Sequence, residues 1–133
     1  MSAPAHRAIS SYRQTEVQSR TPLELVVMLY DGALRFISEA RGAIVRRDIH
    51  ARHQQISRAL AIVSELQSTL DMKSGGKIAA ELDRLYVFVR DRLLEASLKQ
   101  DVKPLDEATR ILTKLREGWA GISLASQAQS KHT

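Results

Sequence analysis

The sequence contains no cysteine and has few proline, glycine and aromatic residues, and each shortage excludes a class of protein. Without cysteine there can be no disulfide framework, no thiolate metal site and no cysteine nucleophile. Three prolines, six glycines and an aromatic content of 5% disfavour a twisted sheet with many turns, while frequent Leu, Ala, Arg and Ile favour helices. We therefore expect an all-α fold.

A long apolar run is missing as well. The longest, Leu25 to Tyr30, is far too short to cross a bilayer, and the polar N-terminal residues lack the apolar core of a signal peptide. We expect a cytoplasmic protein with no membrane insertion. The 133 residues, 44% of them hydrophobic, suffice for one domain with a real core.

Positive charge is in excess but is not concentrated. The formal net charge of +5 would permit a nucleic-acid or acidic-membrane partner. Lysines and arginines are, however, interleaved with acidic residues, and only Arg46 and Arg47 form a cluster. We interpret these charged residues as a surface that faces solvent. No nucleic-acid partner is therefore expected.

The first structured segment carries two conflicting signals. Asp31-Gly32 between apolar residues is typical of a β-hairpin turn. Thr21 as N-cap, Pro22 at the first helical position and Glu24 three residues after the cap instead predict a helix start. The apolar residues beyond recur at spacings of three and four rather than two, so the sequence predicts a helix that runs through Asp31 and Gly32.

This first helix is apolar over more of its circumference than a bundle core requires. On a helical wheel the apolar arc spans about 200°, against roughly 100° for an ordinary surface helix. Gly32 lies in that arc, and glycine inside a helix costs about 1 kcal/mol relative to alanine. Its missing side chain indicates a notch for a close neighbour, which is either another helix of the bundle or a bound helix.

Three more helices are expected. The second follows Asp48 as far as the glycine-rich turn at 73–77, the third covers about 77–99, and the fourth starts near Asp101. The third helix has a core seam at Ile78, Leu82, Leu85, Val89, Leu93 and Ala96, and a second apolar stripe at Ala80, Val87, Leu94 and Leu98. Short connections between four long helices predict an antiparallel up-and-down four-helix bundle. We assign 1–20 to an N-terminal arm, which is either extended or a short capping helix, 21–122 to the bundle and 123–133 to a polar C-terminal tail.

No motif points to catalysis, a metal or a cofactor. A ferritin-like site would need Glu-x-x-His pairs, which are absent, and His50 and His53 have no carboxylate in a matching pattern. No phosphate-binding glycine loop or nucleophile elbow is present either. We therefore expect a protein that is not an enzyme. Surplus apolar surface on the first and third helices predicts a partner-binding site instead.

The arm before the bundle is polar except for a few isolated apolar residues, Ile9, Tyr12 and Val17. Such an arm either lies over an apolar groove until a partner displaces it or forms a disordered tail. Tyr30 and Tyr86 are expected to pack with their hydroxyls at the edge of the bundle.

The residues now discussed resemble one family, the flagellin-specific export chaperones known as the FliS family. The similarity is densest in the run from Ser11 to Ala40, with a tyrosine in the arm, the Thr-Pro helix start, and the block Met-Leu-Tyr-Asp-Gly-Ala at 28–33. It continues through Gly75-Gly76-Lys-Ile-Ala and Leu93-Leu94-Glu-Ala to the closing Leu-Arg-Glu-Gly-Trp at 115–119. The resemblance covers nearly the whole domain.

The resemblance implies a cytoplasmic four-helix bundle that binds the C-terminal segment of flagellin, prevents its early polymerisation and delivers it to the flagellar type III export apparatus. Its partners would be flagellin, a component of the export gate and other flagellar regulators. Binding would be helix-in-groove recognition coupled to folding.

From the residue patterns we expect two groove walls and a displaceable cap. One wall is on the first helix, at Leu25, Met28, Leu29, Gly32, Ala33 and Phe36. The other is on the third helix, at Val87, Leu94 and Leu98. The cap consists of Ile9, Tyr12 and Val17. Two alternatives remain at this point, a basic bundle that binds nucleic acid and a structural homodimer whose surplus stripes pair with each other.

Overall fold

Four α-helices account for nearly all of the described chain. The structure, a computed structural model, describes residues 20–132 and the side chains of residues 20–125. The helices are α1 (Pro22–Arg46), α2 (Ile49–Ser68), α3 (Gly76–Lys99) and α4 (Lys103–His132). This architecture confirms the all-α, four-helix prediction.

Helix α1 begins where the sequence predicted. The Oγ1 of Thr21 accepts the backbone N–H of Glu24 at 3.1 Å, and Pro22 takes the first helical position. The hydroxyl of Thr21 also donates to the Glu24 carboxylate at 3.1 Å. Asp31 and Gly32 lie inside the helix, so the helical periodicity outweighs the local hairpin signal.

The turns between the helices are set by short-range hydrogen bonds. Arg47 ends α1 in the left-handed conformation, with φ 60°, and Asp48 then caps α2 by accepting the N–H of Ala51 at 3.0 Å. Gly75 has no room for a side chain, because a Cβ there would lie 2.6 Å from both the carbonyl oxygen of Asp71 and the Cβ of Ala79. These contacts explain why the connections are compact.

Each helix packs on two neighbours, and the four close into a ring in which α4 returns to α1. Cross-helix contacts give the directions. Arg41 lies 2.9 Å from Asp106, and Asp31 contacts Arg116, so α1 and α4 run antiparallel. The packing partners of α1 are α2 and α4, which leaves α3 at the opposite corner.

The core is formed by one face of each helix. Its fully buried side chains are mainly Ile, Leu, Val and Ala, together with two tyrosines. Tyr30 on α1 is 0% exposed and Tyr86 on α3 is 2% exposed. Their hydroxyls hydrogen-bond to each other inside the bundle, so the prediction that they lie at its edge is wrong. The two hydroxyls meet because helices from opposite corners place them against each other inside the core.

A third polar group joins this pair. The Nε1–H of Trp119 on α4 donates to the hydroxyl of Tyr30 at 3.2 Å, and the same hydroxyl shares a hydrogen bond with that of Tyr86. Burial raises the pKa of both tyrosines, so both hydroxyls stay neutral. The chain of hydrogen bonds therefore connects three helices through the core.

Helix α4 does not stop at the end of its apolar seam. It continues to His132, through residues that the sequence analysis assigned to a polar tail from 123 onwards. Ser123 is still buried. The tail was inferred from the loss of apolar periodicity, but no proline or glycine follows Gly121, so nothing in the sequence ends the helix.

We predict unequal effects for the two tyrosine hydroxyls. Tyr86→Phe removes one partner of Tyr30 and should lower the free energy of unfolding by about 1 kcal/mol. Tyr30→Phe leaves both Tyr86 and the Trp119 N–H without a partner and should cost about 2 to 3 kcal/mol. Urea unfolding followed by far-ultraviolet circular dichroism measures both values. An equal or smaller loss for Tyr30→Phe would contradict the hydrogen-bonded chain.

Candidate functional site

The second apolar stripe of the third helix is exposed in the folded bundle. Val87 is 42% exposed, Leu94 47% and Leu98 84%. We call these three residues the α3 stripe. They lie on one side of α3 because their spacings of seven and four place them on neighbouring turns. Large aliphatic side chains left in water over three turns are typical of a surface that another molecule covers.

The position of the stripe follows from what α3 buries. Val89 and Leu93 are fully buried in the core, which fixes the rotation of the helix about its axis. The stripe therefore faces outward, on the side of α3 nearest α2. Two polar contacts mark this side: Asp83 accepts from Nε2 of Gln67 at 2.8 Å, and Arg90 donates to Oε1 of Gln67 at 3.0 Å.

The chemistry of the stripe is apolar with one charge in it. Asp91 is exposed and stands one turn from both Val87 and Leu94. At the far end, Ser97 lies 3.4 Å from Nδ1 of His53 on α2. A partner helix that fits here needs an apolar row with a basic or hydrogen-bond-donating residue opposite Asp91.

The wall expected on α1 is divided by the structure. Leu29 is 7% exposed, Ala33 is 0% exposed and Gly32 is buried, so these three residues belong to the core and not to an open wall. They face α2 and the bundle interior because the apolar arc of α1 packs against two neighbouring helices, α2 and α4. Leu25, Met28 and Phe36 are half-buried and keep part of their surface exposed.

The two expected walls do not meet. The α3 stripe lies along the side of α3 next to α2, whereas Phe36 of the expected α1 wall lies beside Arg58 of α2. Helices α1 and α3 occupy opposite corners of the bundle, so no single groove contains both sets. The expected cap, Ile9, Tyr12 and Val17, lies outside the described residues.

The notch at Gly32 is filled from inside the bundle. A Cβ built on Gly32 would lie 3.1 Å from Cδ1 of Ile62 on α2. The close neighbour that the sequence left undecided is therefore a helix of the same bundle.

Sequence reasoning missed exposed apolar residues on the other side of α3. Ile78 and Leu85 were placed in the core seam, yet they are 71% and 36% exposed. Phe88 was in neither stripe and is 41% exposed, and the Cζ of Arg92 lies 5.5 Å from the centroid of its ring. The spacing of the seam does not predict this exposure. It gives the direction in which a side chain leaves its helix, but not the point at which the neighbouring helix ends.

Residues 20–132 contain no group of three His, Asp or Glu side chains placed to hold a metal ion. Within residues 20–132, no helix is both long enough and apolar enough to cross a membrane.

Comparison with known proteins identifies close similarity to one family. The family model described as "Flagellar protein FliS" matches residues 5–126. The flagellar secretion chaperone FliSB of Pseudomonas aeruginosa is 35% identical over 123 residues, which cover 90% of this chain and 98% of that protein.

Two further relatives are named flagellar secretion chaperone FliS. The protein from Salmonella typhimurium is 34% identical over 86% of this chain and 89% of its own length. The one from Bacillus subtilis is 31% identical over 92% of this chain and 90% of its own length.

The packing at Gly32 can be tested against a matched helical glycine. Gly118 has nothing within 4 Å of a built Cβ, so Gly118→Ala should raise the free energy of unfolding by about 0.5 to 1 kcal/mol through helix propensity alone. Gly32→Ala should give no such gain, because Ile62 must move. Adding Ile62→Val, which removes the opposing Cδ1, should cost less in the Gly32→Ala protein than in the parent.

Thermal and urea unfolding of the four variants measure these differences. An equal gain from Gly32→Ala and Gly118→Ala would show that Ile62 does not fill the notch.

Proposed function

The chain belongs to the FliS family of flagellar proteins, and on that premise we propose that it is a secretion chaperone that binds the C-terminal segment of flagellin. It holds this segment so that flagellin cannot polymerise, and it delivers its cargo to the flagellar export apparatus, with a component of the export gate as a second partner. The observation that carries the proposal is the exposed α3 stripe at Val87, Leu94 and Leu98. The names of the relatives support the assignment to secretion.

The stripe has the dimensions of a helix-binding site. From Val87 to Leu98 it spans roughly 16 Å, which is three helical turns at about 1.5 Å per residue. A disordered amphipathic segment that becomes helical on the stripe would present apolar residues at the same spacings of three and four. On the side toward α2 the stripe is bordered by the polar pair Gln67 and Arg90. Polar groups border the apolar centre of an interface in the same way.

The expected affinity is moderate. Val87 and Leu94 are already about half buried, so covering the stripe removes less apolar area than burying three free side chains, each worth about 1.5 to 3 kcal/mol. Ordering of the cargo opposes this gain. A complex of moderate affinity suits a cargo that must later be released.

The N-terminal arm would occupy the stripe in the absence of cargo. Residues 1–20 could extend up to about 60 Å, at roughly 3.3 Å per residue. Arg20 adjoins the start of α1, at the end of the bundle where α3 also begins, and Val87 is only about 17 Å along α3 from Gly76. At that length per residue Ile9 could reach about 36 Å and Tyr12 about 26 Å from Arg20, enough to lie over the stripe, whereas Val17 reaches only about 10 Å and would lie nearer the end of the bundle.

We assign this protein a binding role with no catalytic step, and we place its action in the cytoplasm before export.

Calorimetric titration with the C-terminal segment of flagellin from the same organism tests the proposal. Leu94→Glu should weaken binding by at least about tenfold, because the carboxylate would be buried against an apolar helix next to Asp91. Val45→Glu is the matched control, since Val45 is an aliphatic residue 67% exposed on α1, at the corner of the bundle opposite α3, and it should change the affinity less than about twofold. Both variants should keep the circular dichroism spectrum of the parent.

The same titration separates the alternatives. Saturable one-to-one binding with a negative heat-capacity change and weak salt dependence supports an apolar contact. Equal affinities for the Leu94 and Val45 variants would reject the α3 stripe, and no binding by the parent would reject the cargo. Serine at Ile9, Tyr12 and Val17 together should tighten binding if the arm covers the stripe.

A further inference from the structure

Phe36 lies between two guanidinium groups on the α1 and α2 side of the bundle. The Cζ of Arg35 is 5.2 Å from the centroid of its ring, and the Cζ of Arg58, on α2, is 5.8 Å from it. The two Cζ atoms are therefore no more than about 11 Å apart. We call Arg35, Phe36 and Arg58 the Phe36 clamp. Both contacts are of the cation–π type, which concentrates two positive charges around one half-buried ring.

Neither charge of the clamp is neutralised. Among the described residues, no carboxylate forms an ion pair with Arg35 or Arg58. Glu39, four residues after Arg35 on the same side of α1, is exposed and pairs with neither guanidinium. Two like charges that approach a common ring without a counterion repel each other, so an incoming carboxylate would be attracted strongly.

Two polar atoms next to the clamp also lack partners. The Nε of Arg58 and the Oε1 of Gln55, one turn earlier on α2, are buried without a hydrogen bond in the described structure. A buried polar group left unpaired costs about 1 to 3 kcal/mol, and such groups are usually satisfied by a ligand, water or a partner. A carboxylate can accept from Nε and a terminal nitrogen of one arginine together. The Nε of Arg58 is covered in this structure, so an incoming carboxylate would contact the terminal nitrogens of Arg58.

The clamp is separate from the α3 stripe. Phe36 and Arg58 lie where α2 meets α1, whereas the stripe lies where α2 meets α3. Both surfaces can therefore be occupied at the same time.

From these observations we propose that the Phe36 clamp is a docking surface for an acidic helical segment of a second protein. A carboxylate of that segment lies between Arg35 and Arg58, and an apolar residue one turn away packs on the exposed part of the Phe36 ring. The inference does not rest on the proposed binding of flagellin.

A protein segment fits this surface better than a nucleic acid does. Among the described residues only two guanidinium groups lie at the Phe36 ring, and the exposed Glu39 would repel an anion that extends past them, as a continuous phosphate backbone does. Glu39 and the acceptor Oε1 of Gln55 instead suit a segment that carries a donor or a basic residue next to its carboxylates. The half-buried phenyl ring adds an apolar contact that the bases of a paired duplex cannot supply.

Fluorescence anisotropy with a labelled peptide tests the proposal on the full chain without cargo. The probe is an amphipathic helical peptide of about 15 residues with Glu and Leu at helical spacing. Its matched control has Gln at each Glu position. We expect saturable binding of the acidic peptide at about 50 mM salt, at least about tenfold weaker binding of the Gln peptide, and weaker binding at about 300 mM salt.

Variants locate the site. Arg58→Gln and, separately, the more exposed Arg35→Gln should each weaken binding of the acidic peptide by about fivefold to tenfold. Arg84→Gln is the matched control, because it removes an exposed arginine of α3 that is unpaired among the described residues, and it should leave the affinity unchanged. Leu94→Glu, which tests the α3 stripe, should change this affinity little, so the two proposals can fail independently.

Three results would overturn the inference. They are equal binding of the acidic and Gln peptides, equal losses for Arg84→Gln and both clamp variants, or tighter binding of a single-stranded oligonucleotide than of the acidic peptide. The last result would assign the surface to nucleic acid. Arg35→Gln changes an exposed side chain, so it keeps the test decisive if Arg58→Gln lowers stability.

Discussion

The hydrogen bond between the hydroxyls of Tyr30 and Tyr86 constrains the rest of the bundle. It joins α1 and α3, which lie at opposite corners and share little other packing. Each tyrosine would leave a polar group unpaired in an apolar core if its helix rotated or slipped by one residue. Trp119 adds α4 to the same chain of hydrogen bonds. The rotation and register of three helices therefore depend on one small polar network.

The rotation of α3 in turn decides which of its apolar residues remain outside. Successive residues of a helix are separated by about 100° around its axis, so burying Tyr86 turns Val87 away from the core. Val89 and Leu93 follow Tyr86 inward, while Leu94 and Leu98 follow Val87 outward. A helix that faces a single core cannot bury both sets, and the exposed stripe is the consequence.

Helix α2 separates two surfaces of different chemistry. Toward α3 its contacts are the hydrogen bonds of Gln67, next to an aliphatic stripe. Toward α1 it supplies Ile62, which fills the notch at Gly32, and Arg58, which faces Phe36. One side is suited to apolar recognition with little dependence on salt, and the other to charged recognition that salt weakens. A protein that carries a cargo while another factor contacts it would need two such independent faces.

Local chemistry was sufficient to predict most of the fold. The cap at Thr21, the turn at Asp48 and the glycines at 75 and 76 act through bonds within a few residues, so their effects can be read from the sequence. The spacing of apolar residues likewise indicated a second stripe on the third helix, because helical periodicity is a property of one helix alone.

Only the tertiary structure decided which apolar residues are core and which are surface. Gly32 is buried because Ile62 of α2 covers it, whereas Ile78 and Leu85 are left exposed although they follow the core spacing. The tyrosine hydroxyls are internal because two distant helices bring them together. The clamp at Phe36 needs Arg58, 22 positions along the chain from it. Periodicity predicts the direction of a side chain from its own helix, but burial depends on where the other helices lie, and that is set by the packing of the whole bundle.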